Sequence, residues 1–292
     1  MPASSALPLW LMGARPRTLP LALSPVILGA ASAWWADSFS VLLTVLALLV
    51  AVALQIGVNY SNDYSDGIRG TDDFRVGPAR LTGAGLVPSR LVLRAAIISF
   101  GVAVLAGAAL IILSASWWLL VGGMLALVAA WYYTGGKKPY GYVGLGEVVV
   151  FVFFGPIATI GTAYVQIGSI PGEAWFTGGA AGFFASAVLL VNNLRDIDQD
   201  TLASKNTLAV RIGAVRAKTL ITALLVAPYA TVAVLSMVFV WAPLALLGLL
   251  LTIPTLVIVW AGSTPRELII ALQLMTLNSL LFAIVLGAAI AF

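Results

Sequence analysis

The chain has 292 residues, of which 61% are hydrophobic and only 9% charged, with a net charge of +4. Soluble domains carry about 25% charged residues, so a water-covered globule is excluded, and so apolar a chain is not a disordered one either. With no cysteine and no histidine, disulfides, the usual zinc sites and histidine-based catalysis are ruled out, and any metal must sit on oxygen, which favours Mg²⁺, Mn²⁺ or Ca²⁺.

A membrane helix needs about 20 apolar residues. Nine stretches read as spans: 19–36, 41–60, 91–113, 117–133, 145–165, 175–194, 217–240, 243–262 and 268–291. Pro25, Pro156, Pro228 and Pro254 fall inside spans, where neighbouring helices can satisfy the freed carbonyls. The split between the seventh and eighth rests on Trp241 and Pro243 as a tight turn. The N-terminal stretch does not read as a signal peptide, because a full-length apolar span follows Arg15 and Arg17 with no small-residue cleavage site.

The charges fix an expected orientation. Arg15 and Arg17 precede the first span. Arg69, Arg75, Arg80, Arg90 and Arg94 lie between the second and third, and Lys137 and Lys138 between the fourth and fifth. Arg195, Lys205, Arg211, Arg216 and Lys218 lie between the sixth and seventh, and Arg266 between the eighth and ninth. Together they are all 15 basic residues; the opposite connections carry only Asp37 and Glu173. The positive-inside rule then places the N-terminus and the charged loops in the cytoplasm and the C-terminus outside. The positive balance reads as topology, with no nucleic-acid partner.

The acids are concentrated in two segments. NYSNDYSDGIRGTDD follows the second span and holds Asn59, Asn62, Asp63, Asp66, Asp72 and Asp73. NNLRDIDQD follows the sixth and holds Asn192, Asn193, Asp196, Asp198 and Asp200. Each closes the second helix of a group of four, which reads as two parallel four-helix repeats with a ninth helix added. Asn62 and Asp66 are i, i+4. Asn192, Asp196 and Asp200 are i, i+4, i+8, and Asn193 joins them at i, i+3, i+7. If the helices continue, each set lines one face. Stacked carboxylates repel, so matched stripes on one side predict bound cations, with Mg²⁺ suited to hard oxygen ligands. Two clusters predict two ions bridging one polyphosphate. Of the basic residues on that side, Arg69, Lys137 and Lys205 are the expected phosphate contacts, with Arg195 beside the second segment.

The loop WYYTGGKKPYGYVGLGE is glycine-rich and ringed by tyrosines. Tyr133 and Tyr140 flank Lys137 and are expected to face a cavity, where a ring face stabilises a cation. Tyr142 is expected in an interfacial aromatic belt. Glu147 opens the fifth span and should face the bundle or a polar cavity, as a partner of Lys137 or in catalysis.

NDYSDGIRGTDDFRVGPARL and NNLRDIDQDTLASKNTLAVRIG resemble the two aspartate-rich motifs of the UbiA superfamily of intramembrane prenyltransferases. ARPRTLPLALSPVILGA and YTGGKKPYGYVGLGE narrow the resemblance to its MenA-type branch, the 1,4-dihydroxy-2-naphthoate polyprenyltransferases, particularly the actinobacterial ones. It spans about residues 13–213, and the segments after that resemble the family only in hydropathy. Two extra residues before Asp72, and Asn193 at the first position of the second motif, depart from the general superfamily pattern.

The resemblance implies an all-α membrane protein of nine helices forming one domain over 1–292, with repeats at about 19–133 and 145–262 and a ninth helix at about 268–291. It implies Mg²⁺, two ions with Mn²⁺ as a substitute, on Asn62, Asp66, Asp72, Asn192, Asn193, Asp196 and Asp200. Diphosphate would meet Arg69, Lys137, Lys205 and Arg195. Asp63, Lys137, Tyr133 and Tyr140 would assist catalysis, and Asn59, Tyr140 and Glu147 would contact the acceptor. The implied reaction moves a polyprenyl group from its diphosphate to 1,4-dihydroxy-2-naphthoate, with loss of CO₂, in a bacterial cell membrane whose lipid surrounds the protein. Other acceptors such as 4-hydroxybenzoate remain open. A CDP-alcohol phosphotransferase fits poorly, since Gly70 and Thr71 stand where its motif has Ala-Arg. A cation transporter also fits poorly, since these acids lie at helix ends among arginines and lysines.

Overall fold

The computed structural model describes residues 3–71, 79–262 and 264–292, and all regular structure among them is helical. Helix α1 (Ala3–Ala14) ends at Arg15, whose backbone is left-handed (φ 54°), and a 3₁₀ turn at Pro16–Thr18 leads into α2 (Pro20–Trp35). The two arms, Pro8–Thr18 and Pro20–Trp35, meet at 50°. Pro16 and Pro20 occupy first-turn positions, where the missing N–H has no helical partner to lose.

Ser40 caps α3 (Val41–Ile68). Its hydroxyl accepts from the Leu43 N–H at 3.3 Å, and its own N–H donates to Gln166 Oε1 at 2.8 Å. Helix α4 (Ser89–Ser114) starts after Pro88 and is followed by α5 (Leu119–Tyr132). Helix α6 (Gly146–Val152), a π-turn at Phe153–Ile157 and α7 (Ala158–Ile167) form one bent path. Pro156 interrupts its ladder, and Gly155 packs so closely that a Cβ there would lie 2.5 Å from the Gly178 carbonyl oxygen. Then come α8 (Gly172–Arg195), the short α9 (Ile197–Leu202) and α10 (Leu208–Ile212), and α11 (Ala214–Leu235). A 3₁₀ segment at Ala242–Gly248 leads into α12 (Leu249–Ala261), and α13 (Pro265–Ala291) opens on a capping box between Thr264 and Glu267.

Seven paths are long and apolar enough to cross a bilayer: Val41–Ile68, Ser89–Ser114, Gly146–Ile167, Gly172–Arg195, Ala214–Leu235, Ala242–Ala261 and Pro265–Ala291. The bent pair Pro8–Thr18 and Pro20–Trp35 makes an eighth if it is one span. The chain is a multi-pass membrane protein, and large apolar side chains such as Ile98 and Leu105 on α4 are exposed on its outer surface. Two of the nine expected spans are short as single helices. Helix α2 has 16 residues and reaches span length only with its bent arm. Helix α5 has 14 residues, about 21 Å of rise against a hydrocarbon layer of about 30 Å. It starts late because Ala115 (φ 51°) closes α4 in a left-handed turn, and the chain turns again beyond it at Gly135 and Gly136. The turn ahead of Trp241 and Pro243 does separate α11 from the segment leading into α12.

Helix α8 is the most central. Ala180, Phe184, Ala187, Val188 and Val191 are buried along it, against α2, α11, α13 and the α6–α7 path. Helices α3 and α4 pack side by side. Both acid-bearing helices, α3 and α8, deliver their C-terminal ends to the same place.

Candidate active site

A cavity of about 500 Å³ lies among α2, α3, α4, α5, α6–α7 and α8. One face of α3 lines it through Ala47, Ala51, Leu54, Val58, Asn62 and Asp66, a spacing of three and four residues that keeps side chains in register. From Ala47 to Asp66 this is about 28 Å of helix. Most of the wall is apolar (Val26, Leu110, Leu127, Phe153, Val188), and polar groups gather at the C-terminal ends of α3 and α8.

Asp66 is the centre of that polar end. Its Oδ1 accepts from the Tyr142 hydroxyl at 2.6 Å, its Oδ2 lies 2.9 Å from Arg80 Nη1, and Lys205 Nζ lies 3.9 Å away. Arg80 also donates to the Asn62 carbonyl at 2.9 Å, and Asn62 Oδ1 accepts from Thr134 Oγ1 at 2.7 Å. Asn59, a turn back, donates its amide to the Ala14 carbonyl at 2.9 Å and to Thr18 Oγ1 at 3.3 Å. It thereby ties α3 to the α1–α2 bend and brings Arg15 to the cavity wall.

Asp63 is placed differently from its expected catalytic role. It is 2% exposed and does not line the cavity. Its two oxygens accept from the backbone N–H groups of Leu81 and Thr82, each at 2.8 Å. One residue out of step with Asn62 and Asp66, it points to the other side of α3 and holds the segment that presents Arg80. Asp72 and Arg75 lie outside the described residues.

In the second segment the helix does not run through. Helix α8 stops at Arg195, Asp196 takes a non-helical conformation (φ −98°, ψ 13°), and α9 starts afresh. Asp196 turns back on its neighbour, accepting from Arg195 Nε at 2.7 Å and Nη2 at 2.6 Å. Asp200 accepts from Thr207 Oγ1 at 3.2 Å and lies 3.6 Å from Lys205 Nζ. Burial raises the Asp200 carboxyl above the usual carboxylate range, with Lys205 pulling it back. Despite the break, Asn192, Asn193, Asp196 and Asp200 all line the cavity. A single ammonium, Lys205, sits between Asp66 and Asp200 and so joins the two segments.

The tyrosine loop closes over this end. Tyr133 and Tyr140 line the cavity and stack edge to face, 5.5 Å between centroids. The Tyr140 hydroxyl donates to the Ala129 carbonyl at 2.8 Å, and burial raises it above its ordinary value, so it holds its proton. Tyr142 is not a belt residue. Besides its bond to Asp66, its ring lies 5.4 Å from the Arg69 guanidinium and 5.1 Å from Lys205 Nζ. Burial first, and then the Asp66 charge, raise its hydroxyl. Arg69 donates to the carbonyls of Thr134 and Gly136 and does not line the cavity, so it braces the loop. Lys137 is exposed and off the cavity wall, carried outward by the turn at Gly136 (φ 75°). Glu147 faces the bundle, bonded to Asn193 and not to Lys137.

Arg80, Thr134 and Tyr142 are the site residues that sequence reasoning passed over. Tyr142→Phe is expected to lower turnover about 10- to 100-fold, since a hydrogen bond to a charged group contributes about 1.5–3 kcal/mol. Tyr140→Phe, whose hydroxyl serves a backbone carbonyl, should stay within about threefold in turnover. Single-turnover rates of the two variants in detergent give the comparison.

Carboxylates of Asp66, Asp196 and Asp200 with the amides of Asn62, Asn192 and Asn193 are a hard-oxygen set of the kind Mg²⁺ takes. Among the described residues no three acids converge closely enough to enclose an ion alone, so the set fits an ion that shares its shell with water and phosphate oxygens.

The chain belongs to the UbiA prenyltransferase family, whose model matches residues 22–280. It is 46% identical to the 1,4-dihydroxy-2-naphthoate octaprenyltransferase of Mycobacterium tuberculosis, over 97% of both chains. It is 39% identical to the Escherichia coli protein of that name, over 72% of this chain and 70% of the other. In structure it is similar to a UbiA homolog from Aeropyrum pernix K1 (TM-score 0.70, 17% identity, 92% of this chain and 96% of that one). It is similar too to a UbiA homolog from Archaeoglobus fulgidus bound to DMAPP and Mg²⁺ (TM-score 0.65, 18% identity, 97% and 99%).

Proposed function

We propose that this protein transfers a polyprenyl group from its diphosphate to 1,4-dihydroxy-2-naphthoate, with loss of CO₂, in menaquinone biosynthesis. The acceptor rests on the full-length similarity to the mycobacterial octaprenyltransferase. The geometry that carries the chemistry is a single cavity whose apolar length ends in a cluster of carboxylates, amides and buried cations. The prenyl tail lies along the α3 face between Ala47 and Leu54, which takes it out of water. Asn62, Asp66, Asn192, Asn193, Asp196 and Asp200 would hold Mg²⁺, two ions with Asp72 completing the set, and Mn²⁺ would serve in its place. When bound, the metal would supply Lewis-acid stabilisation of the departing diphosphate.

Arg80, Lys205 and Arg195 balance the remaining negative charge on the leaving oxygen. The allylic C–O bond breaks with its electron pair going to the diphosphate. The electron-rich ring carbon bearing the carboxylate forms the new C–C bond, and the carboxylate leaves as CO₂, giving demethylmenaquinol. Tyr133 and Tyr140 wall the reacting end, present ring faces to developing positive charge and keep water away. Asn59 and Tyr140 stand where the acceptor enters.

The whole chain acts as one membrane domain of nine membrane helices, with α2 and the short α5 counted as spans. It comprises parallel repeats at about 19–133 and 145–262 and a ninth helix at about 268–291. It sits in the bacterial cell membrane with the site on the cytoplasmic side, as the basic connections favour.

Purified protein supplied with a polyprenyl diphosphate, Mg²⁺, and both dihydroxynaphthoate and 4-hydroxybenzoate is expected to yield only the prenylated, decarboxylated naphthoquinol by mass. EDTA should abolish the product. A prenylated hydroxybenzoate would overturn the acceptor assignment, and EDTA-resistant turnover would overturn the metal.

A further inference from the structure

Glu147 is a carboxylate in the first turn of a membrane helix, 4% exposed. Its Oε1 accepts from Asn193 Nδ2 at 2.7 Å, and its Oε2 has no hydrogen-bond partner. Burying a carboxylate at membrane depth is costly, and here that cost supports one side-chain contact. The backbone fixes its position independently, because Ser186 Oγ donates to the Glu147 carbonyl at 2.8 Å. Glu147 does not line the cavity, whereas Asn193 does.

A carboxylate only accepts hydrogen bonds, and an amide has one end that donates and one that accepts. The contact therefore dictates which way the amide turns. Its NH₂ faces Glu147, and its Oδ1, which takes part in no other hydrogen bond among the described residues, is left for the cavity. A flipped amide would set oxygen against oxygen at Glu147 and aim N–H groups at any cation. We propose that Glu147 is a positioning residue that locks the amide of Asn193, so that Oδ1 joins Asp196 and Asp200 as a cation ligand. This rests on the metal–diphosphate reading of the site, and it gives a buried acid off the cavity a defined task. Partners behind a metal ligand commonly change metal affinity about 10- to 100-fold when removed.

The test exchanges donor and acceptor across the pair. Mn²⁺ binding is measured by electron paramagnetic resonance on purified protein in detergent with inorganic diphosphate, alongside thermal unfolding without metal. Glu147→Ala is expected to weaken Mn²⁺ binding about 10- to 100-fold. Asn193→Asp, which places two carboxylates face to face, should weaken it comparably and lower Tm. Asn193→Asp combined with Glu147→Gln restores a donor facing an acceptor and should recover both affinity and Tm to near the parent. Where Asn193→Asp alone does not accumulate as folded protein, recovery of folded, Mn²⁺-binding protein in the double variant reads the same coupling. Parent-like affinity in Glu147→Ala or in Asn193→Asp overturns the proposal, as does a double variant no better than Asn193→Asp. Failure of the parent itself to bind Mn²⁺ overturns the reading of the site instead, and the Tm cycle then still reports whether the pair is coupled.

Discussion

Asp66→Asn should lose about 10²–10³-fold in turnover, the scale of removing one stabilising group from a developing charge, with a smaller fall in Tm than Asp66→Ala shows. The amide keeps the shape and can still accept from Tyr142, so the loop remains docked. What disappears is the charge on which Arg80, Tyr142 and Lys205 converge. Asp66→Ala removes more, because Arg80, 7% exposed, and the Tyr142 hydroxyl then lose the side-chain oxygens they meet as well as the charge. It should therefore lower Tm as well as turnover. Product formation measured against Mg²⁺ concentration separates the effects. Near-parent turnover with unchanged Mg²⁺ dependence in Asp66→Asn would remove Asp66 from the metal set.

Three residues earlier, Asp63→Ala is expected to fail for a different reason. It strands two backbone N–H groups, those of Leu81 and Thr82, both of which donate to this carboxylate. Each buried unsatisfied donor costs about 1–3 kcal/mol, so about 2–6 kcal/mol of stability should go. Asp63→Asn keeps one acceptor oxygen and should lose about half of that. Unfolding in detergent reads the effect directly, and turnover should fall because Arg80 is no longer held in place. An Asp63→Ala protein with parent-like Tm and no turnover would return Asp63 to the chemistry.

The contrast between these neighbours shows what the sequence could and could not disclose. Periodicity separates Asn62 and Asp66 from Asp63 once α3 is known to run to Ile68, and the cavity face follows from that spacing. Arg80 was hidden because positive-inside flanking accounts for any arginine on that side. Only the fold shows that it is buried against Asp66. Tyr142 was hidden by the same kind of sufficiency, since an aromatic belt explains a tyrosine near a helix end. Lys137 erred in the opposite direction, being central in its motif yet carried outward by the turn at Gly136. Hydropathy finds apolar stretches, but it does not register the left-handed turn at Ala115 that shortens α5. Nor did it register the break at Asp196, where no glycine or proline marks the end of α8 and a bidentate contact with Arg195 accompanies it.

Helix α2 packs against α13, α7 and α8, and Ser279 Oγ donates to Ser24 Oγ at 3.0 Å across 255 residues of sequence. During synthesis those two serines enter the bilayer far apart in time, roughly 10–50 s at ribosomal speed. For that interval the Ser24 hydroxyl has only its own helix, donating to the Pro20 carbonyl at 2.8 Å, and the face of α2 that packs on α13 is uncovered. The newly inserted helix must wait in lipid or in the company of an insertion factor. A nascent chain released before α13 emerges would carry every acidic residue of the site yet lack the helix against which α2 and α8 both pack.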